Sequence, residues 1–154
     1  LGDVYKRQVH MDAAGFNLDT WKNLTLTYKH LEHLIDAFMP RTRRNNTYCK
    51  TLSGVSDERI KSVRTIDGLR EVFNNDRYHK VNFEAYSRHR TVEFRQHSGT
   101  TNFTKMENWI RFLNGLITFA KRSSLPSRMT LEELPFLDGK QKLFFKLRTK
   151  KLAV

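Results

Sequence analysis

The stretch from Asn17 to Met39 constrains the fold most. Leu18, Trp21, Leu24, Tyr28, Leu31, Leu34, Ile35 and Phe38 recur at three- and four-residue steps, which lines them along one face of a 3.6-residue helix. Asn17 suits the cap at its start, Asp19 suits the positive end of the helix dipole, and Pro40 stops it. So long an apolar stripe must be covered by another element, and it reads as core. A second stripe runs through Met106, Trp109, Ile110, Leu113, Ile117 and Ala120, widened by Phe112, Leu116 and Phe119. Thr104 and Glu107 predict a capping box at its start, and Lys121 and Arg122 suit its C-terminal end. Its breadth implies contacts on two sides, one of them the apolar face of a sheet.

The sheet comes from stretches that alternate with period two. In Thr91–His97, Val92, Phe94 and Gln96 fall on one face and Thr91, Glu93, Arg95 and His97 on the other. Glu93 and Arg95 share a face about 7 Å apart along the pleat, which suits two groups reaching toward one ligand. Arg77 to Phe83 alternates as well, with Tyr78, Lys80 and Asn82 opposite His79, Val81 and Phe83. Glu84 to His89 is predicted as a hairpin loop, so the two strands pair antiparallel, with Asn82 beside Glu93 or Arg95 and Arg77 at the rim. Val9 to Ala13 is a further short strand with His10 and Asp12 on one face. Between the long helix and these strands, Ser56 and Thr65 are predicted to cap two short helices. The fold class is α+β: an antiparallel sheet packed by helices.

Composition bounds the chemistry. The 154 residues hold 28 Lys and Arg against 16 Asp and Glu, a net charge of +12, which favours anionic partners. One cysteine, Cys49, excludes an internal disulfide and fits a reducing compartment; with no base beside it in sequence it reads as structural. No apolar run approaches the roughly 18 residues of a membrane span, so the expectation is a cytoplasmic protein without membrane partners. Arg41 to Cys49 places three arginines and two asparagines after Pro40, and the planar arginine fork suits bidentate contact with phosphate or carboxylate. His30 and His33 lie on the polar flank of the long helix and are expected to be solvated.

Four segments in order carry a resemblance. Arg88-His89-Arg90-Thr91-Val92-Glu93-Phe94-Arg95-Gln96-His97-Ser98-Gly99-Thr100, followed by Asn108-Trp109-Ile110, resembles the signature of the amidoligase family, relatives of the glutamine synthetase-like carboxylate-amine ligases. Val9-His10-Met11-Asp12-Ala13 resembles the end of that family's Gly-x-His-x-His strand. Arg43-Arg44-Asn45-Asn46-Thr47-Tyr48-Cys49 and Arg77-Tyr78-His79-Lys80-Val81-Asn82 resemble its Arg-Arg-Asn-x-x-Tyr-Cys and Arg-Tyr-x-x-Val-Asn segments. The resemblance implies an ATP-dependent ligase that forms amide bonds through an acyl phosphate, on a partial glutamine synthetase-like catalytic domain. It implies ATP and Mg²⁺ or Mn²⁺ as cofactors, with a carboxylate substrate and an amine as partners. Glu93 and Arg95 would be catalytic, with Glu93 and His10 as metal ligands and Arg95 on the substrate carboxylate or the transferred phosphoryl. Arg43, Arg44, Arg77, Asn82 and His97 would bind substrate or phosphate.

Residues 1–8 read as a non-native scar, because Asp3-Val4-Tyr5-Lys6-Arg7-Gln8 looks like translated sequencing adapter, and Gln8 stands where the family's first histidine would be. The expectation is therefore the C-terminal part of a longer enzyme, inactive alone. Residues 9–122 form the catalytic part, and 123–154 a linker and basic helical tail. In that tail Thr130 with Glu133, and Asp138 with Gln141, read as caps, the second opening a helix on Leu143, Phe144 and Leu147. Two other readings compete: a basic nucleic-acid-binding domain, with basic and aromatic residues interleaved on one surface, and an inactive interaction domain that kept the fold.

Overall fold

The computed structural model describes residues 8–153, so residues 1–7 of the adapter-like stretch lie outside the described residues. Its elements are β1 (Val9–Asp12), α1 (Leu18–Ala37), α2 (Asp57–Ser62), α3 (Ile66–Val72), β2 (Val81–Asn82), α4 (Ala85–His89), β3 (Thr91–Phe94), α5 (Phe103–Ala120) and α6 (Gly139–Leu152), with short 3₁₀ turns at Arg41–Arg43 and Leu131–Glu133. The fold is α+β: the strands form one antiparallel sheet in the order β1-β3-β2.

The predicted helix starts hold at most places. Asn17 accepts the Thr20 N–H at 2.9 Å, Ser56 that of Arg59 and Thr65 that of Gly68, so each satisfies a backbone donor that the helix leaves unpaired. Asp138 and Gln141 form a reciprocal capping box at α6. Two sites differ. The cap of α5 is Asn102, accepting from Lys105 N, and Thr104 and Glu107 lie inside the helix. Thr130 and Glu133 bond each other side chain to side chain at 2.9 Å, and the chain there makes only a 3₁₀ turn.

The stripe of α1 meets the sheet. Tyr28 stacks on Phe94 and its hydroxyl donates to Gln96 Oε1 at 2.7 Å, while Trp21 packs edge-on against Phe83 and Tyr86. The cover expected of α5 is thus supplied by α1, and α5 packs along α1 through Phe38, Trp109 and Phe112. Trp21, Tyr28, Phe94, Trp109 and Phe112 are all essentially inaccessible. Burial of a side chain of this size contributes about 1.5–3 kcal/mol. The tail joins the same core: Leu134, Leu137 and Phe145 are buried in it, and Phe145 lies 4.4 Å from Phe38, ring centre to ring centre. Gly115 makes this possible, because a Cβ there would stand 2.9 Å from the Phe136 carbonyl oxygen. The inward face of α6 is Gln141 and Phe145; Leu143 and Leu147, predicted as its stripe, are more than half exposed.

The strands are shorter than their alternation predicted. β2 keeps only Val81 and Asn82, because Lys80 N donates to the Lys50 carbonyl, and Tyr78 N turns back to Asp76 Oδ1. The predicted hairpin loop holds the single-turn α4, closed by Arg90 in the left-handed region at φ 54°, from which the chain swings into β3. β3 ends at Phe94, yet Gln96 remains fully buried on the Val92 side.

His30 and His33 are not solvated. His30 bridges Asp57 Oδ2 at 2.8 Å and the Leu125 carbonyl at 2.7 Å, and His33 meets the Met129 carbonyl at 3.1 Å, so both tie α1 to the segment after α5.

Candidate active site

Strand register builds the site. His10 pairs with Glu93 and Glu93 with Asn82, so the three form one row across the sheet, on the face away from Val92 and Phe94. The Glu93 carboxylate is held from two sides: Arg95 Nη1 donates to Oε1 at 2.5 Å, and His10 Nε2 lies 3.2 Å from Oε2. His10 Nδ1 lies 2.9 Å from the Thr91 hydroxyl, which fixes the ring. Glu93 is 11% exposed at its side chain and His10 41%, so the carboxylate sits at the floor of a cleft and the imidazole at its lip. The cleft has a volume of about 460 Å³, and its rim carries Arg77, Arg88 and His89. Asn82 accepts the Glu84 N–H, and Glu84 receives a two-pronged contact from Arg70 at 2.8 Å, which braces that wall. This arginine is thereby held still more firmly protonated than usual, the Glu84 hydrogen bond being the main cause.

Arg95 is set by its neighbours. Its Nε donates to the Tyr48 carbonyl at 3.3 Å, its guanidinium lies over the Tyr78 ring at 5.1 Å, and Arg77 lies over the same ring at 4.8 Å. The Arg43–Cys49 segment and the Arg77–Tyr78 turn therefore position one arginine. Arg43 does not line the cleft: it is 3% exposed, and its Nη2 donates to the Arg95 carbonyl. Arg44 also stays off the cleft and donates to the Met39 carbonyl. Cys49 is buried with its thiol 3.4 Å from the Arg43 carbonyl, and burial pushes its pKa up, as a structural cysteine requires.

His97 leaves the row because the strand has ended. Its ring lies on Trp109, Nδ1 meets the Ser98 carbonyl at 2.7 Å, and it lines a separate cavity. Of the predicted site residues, the cleft unites His10, Glu93, Asn82 and Arg77, with Arg95 gripping the carboxylate, and leaves out Arg43, Arg44 and His97. Sequence reasoning assigned no role to Arg70, Glu84, Arg88 or His89. Arg88 and His89 stand inside the quoted family segment, which is the signal that could have found them.

Among the described residues no group of three or more His, Cys, Asp or Glu is placed to hold a metal ion. His10 Nε2 and Glu93 Oε2 nevertheless have a separation near the roughly 3 Å between adjacent ligands of an octahedral ion bound at about 2.1 Å. The pair fits a cation that takes its remaining ligands from water and phosphate oxygens, the usual habit of Mg²⁺.

On the sheet's other face lies a second ionic cluster that sequence reasoning placed wrongly. Lys80, predicted beside Asn82, is fully buried, and its Nζ donates to Glu32 Oε2 and Asp36 Oδ1, each at 2.9 Å. Glu32 also accepts from Thr51 Oγ1 and Leu52 N, and Asp36 from Gln96 Nε2. Of these, Glu32, Asp36, Thr51 and Lys80 line a cleft of about 650 Å³ beside α1.

No curated protein and no solved structure matches the chain. Residues 7–117, which include β1, the cleft residues and most of α5, match one family of proteins, of ligase type by its description. With most of its length inside that match, the chain belongs to the family described as Putative amidoligase enzyme.

Proposed function

We propose that the Glu93 cleft is part of the active site of an ATP-dependent carboxylate–amine ligase working through an acyl phosphate, on part of a glutamine synthetase-like catalytic domain. The observation that carries this reading is the row His10–Glu93–Asn82, with Glu93 clamped by Arg95 at the floor of a cleft rimmed by arginines. Hydroxide is a poor leaving group at neutral pH, so the carboxylate must be activated. A carboxylate oxygen attacks the γ-phosphorus of ATP, the bond to ADP breaks, and the amine then displaces phosphate from the acyl carbon and gives up a proton. Catalysis of such a sequence lies in positioning and charge stabilisation. Arg77 and Arg88 at the rim attract the anionic substrates, and Arg95 holds the Glu93 carboxylate in a fixed orientation. Glu93 and His10 would hold Mg²⁺ or Mn²⁺, which when bound neutralises phosphate charge. Nucleic-acid binding is not favoured, since the tryptophans and most phenylalanines are core residues.

The test is metal-dependent ATP binding by calorimetry, followed by ADP release across a panel of carboxylates and amines. Binding that requires the metal and is lost in Glu93→Gln is the expected result, as is ADP release that requires both co-substrates. Metal-dependent binding that is undiminished in Glu93→Gln overturns the assignment.

A further inference from the structure

His97 and the residues after it face a cavity of about 80 Å³ between the end of α1, the start of α5 and α6. Its polar lining is His97, Ser98, Thr100, Lys105 and Arg148; Phe145 and other apolar groups close the opposite side, and no acidic residue lines it. Among the described residues neither Lys105 nor Arg148 has an ion pair or a side-chain hydrogen bond. Repulsion from Arg148, with lesser contributions from burial and Lys151, holds the Lys105 ammonium below its ordinary pKa. Burial, with further repulsion from Arg148, Lys105 and Arg43, holds the His97 imidazole down as well. The carbonyl of Ser98 opposes this, since it accepts from His97 Nδ1.

Residues that line the same space carry further donors. The Thr100 oxygen already accepts the Asn102 N–H at 3.0 Å, so its hydroxyl proton is available to a ligand. The backbone N–H groups of Ser98, Gly99 and Thr100 are given to no acceptor among the described residues. A positively charged cavity with a surplus of donors and no acid calls for an anion with several oxygen acceptors. The cavity's small volume of about 80 Å³ suits a compact anion such as a tetrahedral oxyanion.

We propose that this cavity is a phosphate-group site, with Lys105 and Arg148 as its charged ligands and Thr100 as a hydroxyl donor. Arg148 lies beyond the family match at residues 7–117, so α6 adds this site to the family's own segment. It is separate from the Glu93 cleft, and it stands or falls without the ligase reading. The ligand is either free phosphate or the phosphoryl end of a larger molecule, whose remainder stays outside.

The experiment titrates the whole chain, in a Glu93→Gln background that silences the other cleft, with inorganic phosphate and separately with ATP. Amide shifts of Ser98, Gly99 and Thr100 and the His97 imidazole pKa are followed by NMR. Saturable binding that moves these amides and raises the His97 pKa is expected. Arg148→Gln and Lys105→Met should each weaken it about tenfold, while Lys146→Gln, exposed on α6 and off the cavity, leaves it unchanged. Tighter binding of ATP than of phosphate assigns the site to the phosphoryl group of a larger ligand; the reverse assigns it to free phosphate. Unchanged melting temperatures establish that the variants fold. Absence of saturable binding, or affinity retained in both cavity variants, overturns the proposal.

Discussion

The two faces of the small sheet hold similar charges in opposite conditions. Toward α1, Lys80 meets Glu32 and Asp36, and Thr51, Leu52 N, Gln96 and, through Gln96, Tyr28 complete the network. Toward solvent, Glu93 has Arg95 on one oxygen and His10 on the other, beneath an arginine rim. The first cluster uses its charges on one another, in a place where a buried ion is stable only when paired. The second keeps an imidazole at the lip of an open cleft. Both clusters border a cleft, and the difference lies in the partners: Lys80 is fully buried between two carboxylates, whereas His10 beside Glu93 is 41% exposed.

The contrast can be broken by mutation, and the largest effect should come from the face toward α1. Lys80→Met strands two carboxylates against α1, and denaturant unfolding should register a loss of about 3–5 kcal/mol. Glu93→Gln should cost less, about 1–2 kcal/mol, because the amide oxygen can still accept from Arg95, which keeps its bond to the Tyr48 carbonyl. If both variants lose the same stability, the distinction between the faces fails. Tyr28→Phe, which removes the donor to Gln96 and leaves the amide oxygen dry, should cost about 1 kcal/mol by thermal melting.

Smallest is Asp57→Asn, at about 0.5 kcal/mol, since Asp57 is partly exposed and its pairs with Lys29 and His30 are screened. Its effect has a pH signature. The hydrogen bond from Lys29, then that from His30, holds the Asp57 pKa below its ordinary value. Its stabilisation is therefore present above the ordinary carboxylate range near pH 4, and is lost as pH falls through the lowered folded value. An acid-unfolding profile of Asp57→Asn that still shows the full wild-type loss in that window would remove Asp57 from the account.

Legibility in the sequence followed the range of the interaction. The stripes of α1 and α5, and the caps at Asn17, Ser56, Thr65 and Asp138, depend on neighbours within a few residues, and they were read correctly. The cap at Asn102 was misplaced because Thr104 and Glu107 show a similar spacing one half-turn later. Glu93, Arg95 and Asn82 were legible because period-two alternation and antiparallel pairing fix which side chains share a face. Lys80 was misread because alternation assumes a continuous strand, whereas the Lys80 backbone is shared, its N–H donating to Lys50 and its carbonyl accepting from Arg95 N. Arg43 was read as a ligand contact because a cluster of arginines reads as an exposed patch; nothing local shows that one of them turns inward to the Arg95 carbonyl.

By itself the sequence determined the helices other than α4, which reads as a loop, with boundaries to within a few residues, the α+β class and the family-bearing strand, since these follow from periodicity, capping and turn chemistry along a short stretch of chain. Only the tertiary structure decided that α1, not α5, lies on the sheet, that His10 stands beside Glu93, and that Lys80 belongs to the core. It also brought Arg148, 43 residues beyond Lys105 in the chain, to the same cavity. The physical reason is common to all four: contacts between distant segments are chosen by how whole faces bury and pair together, and no local pattern encodes which partner will arrive.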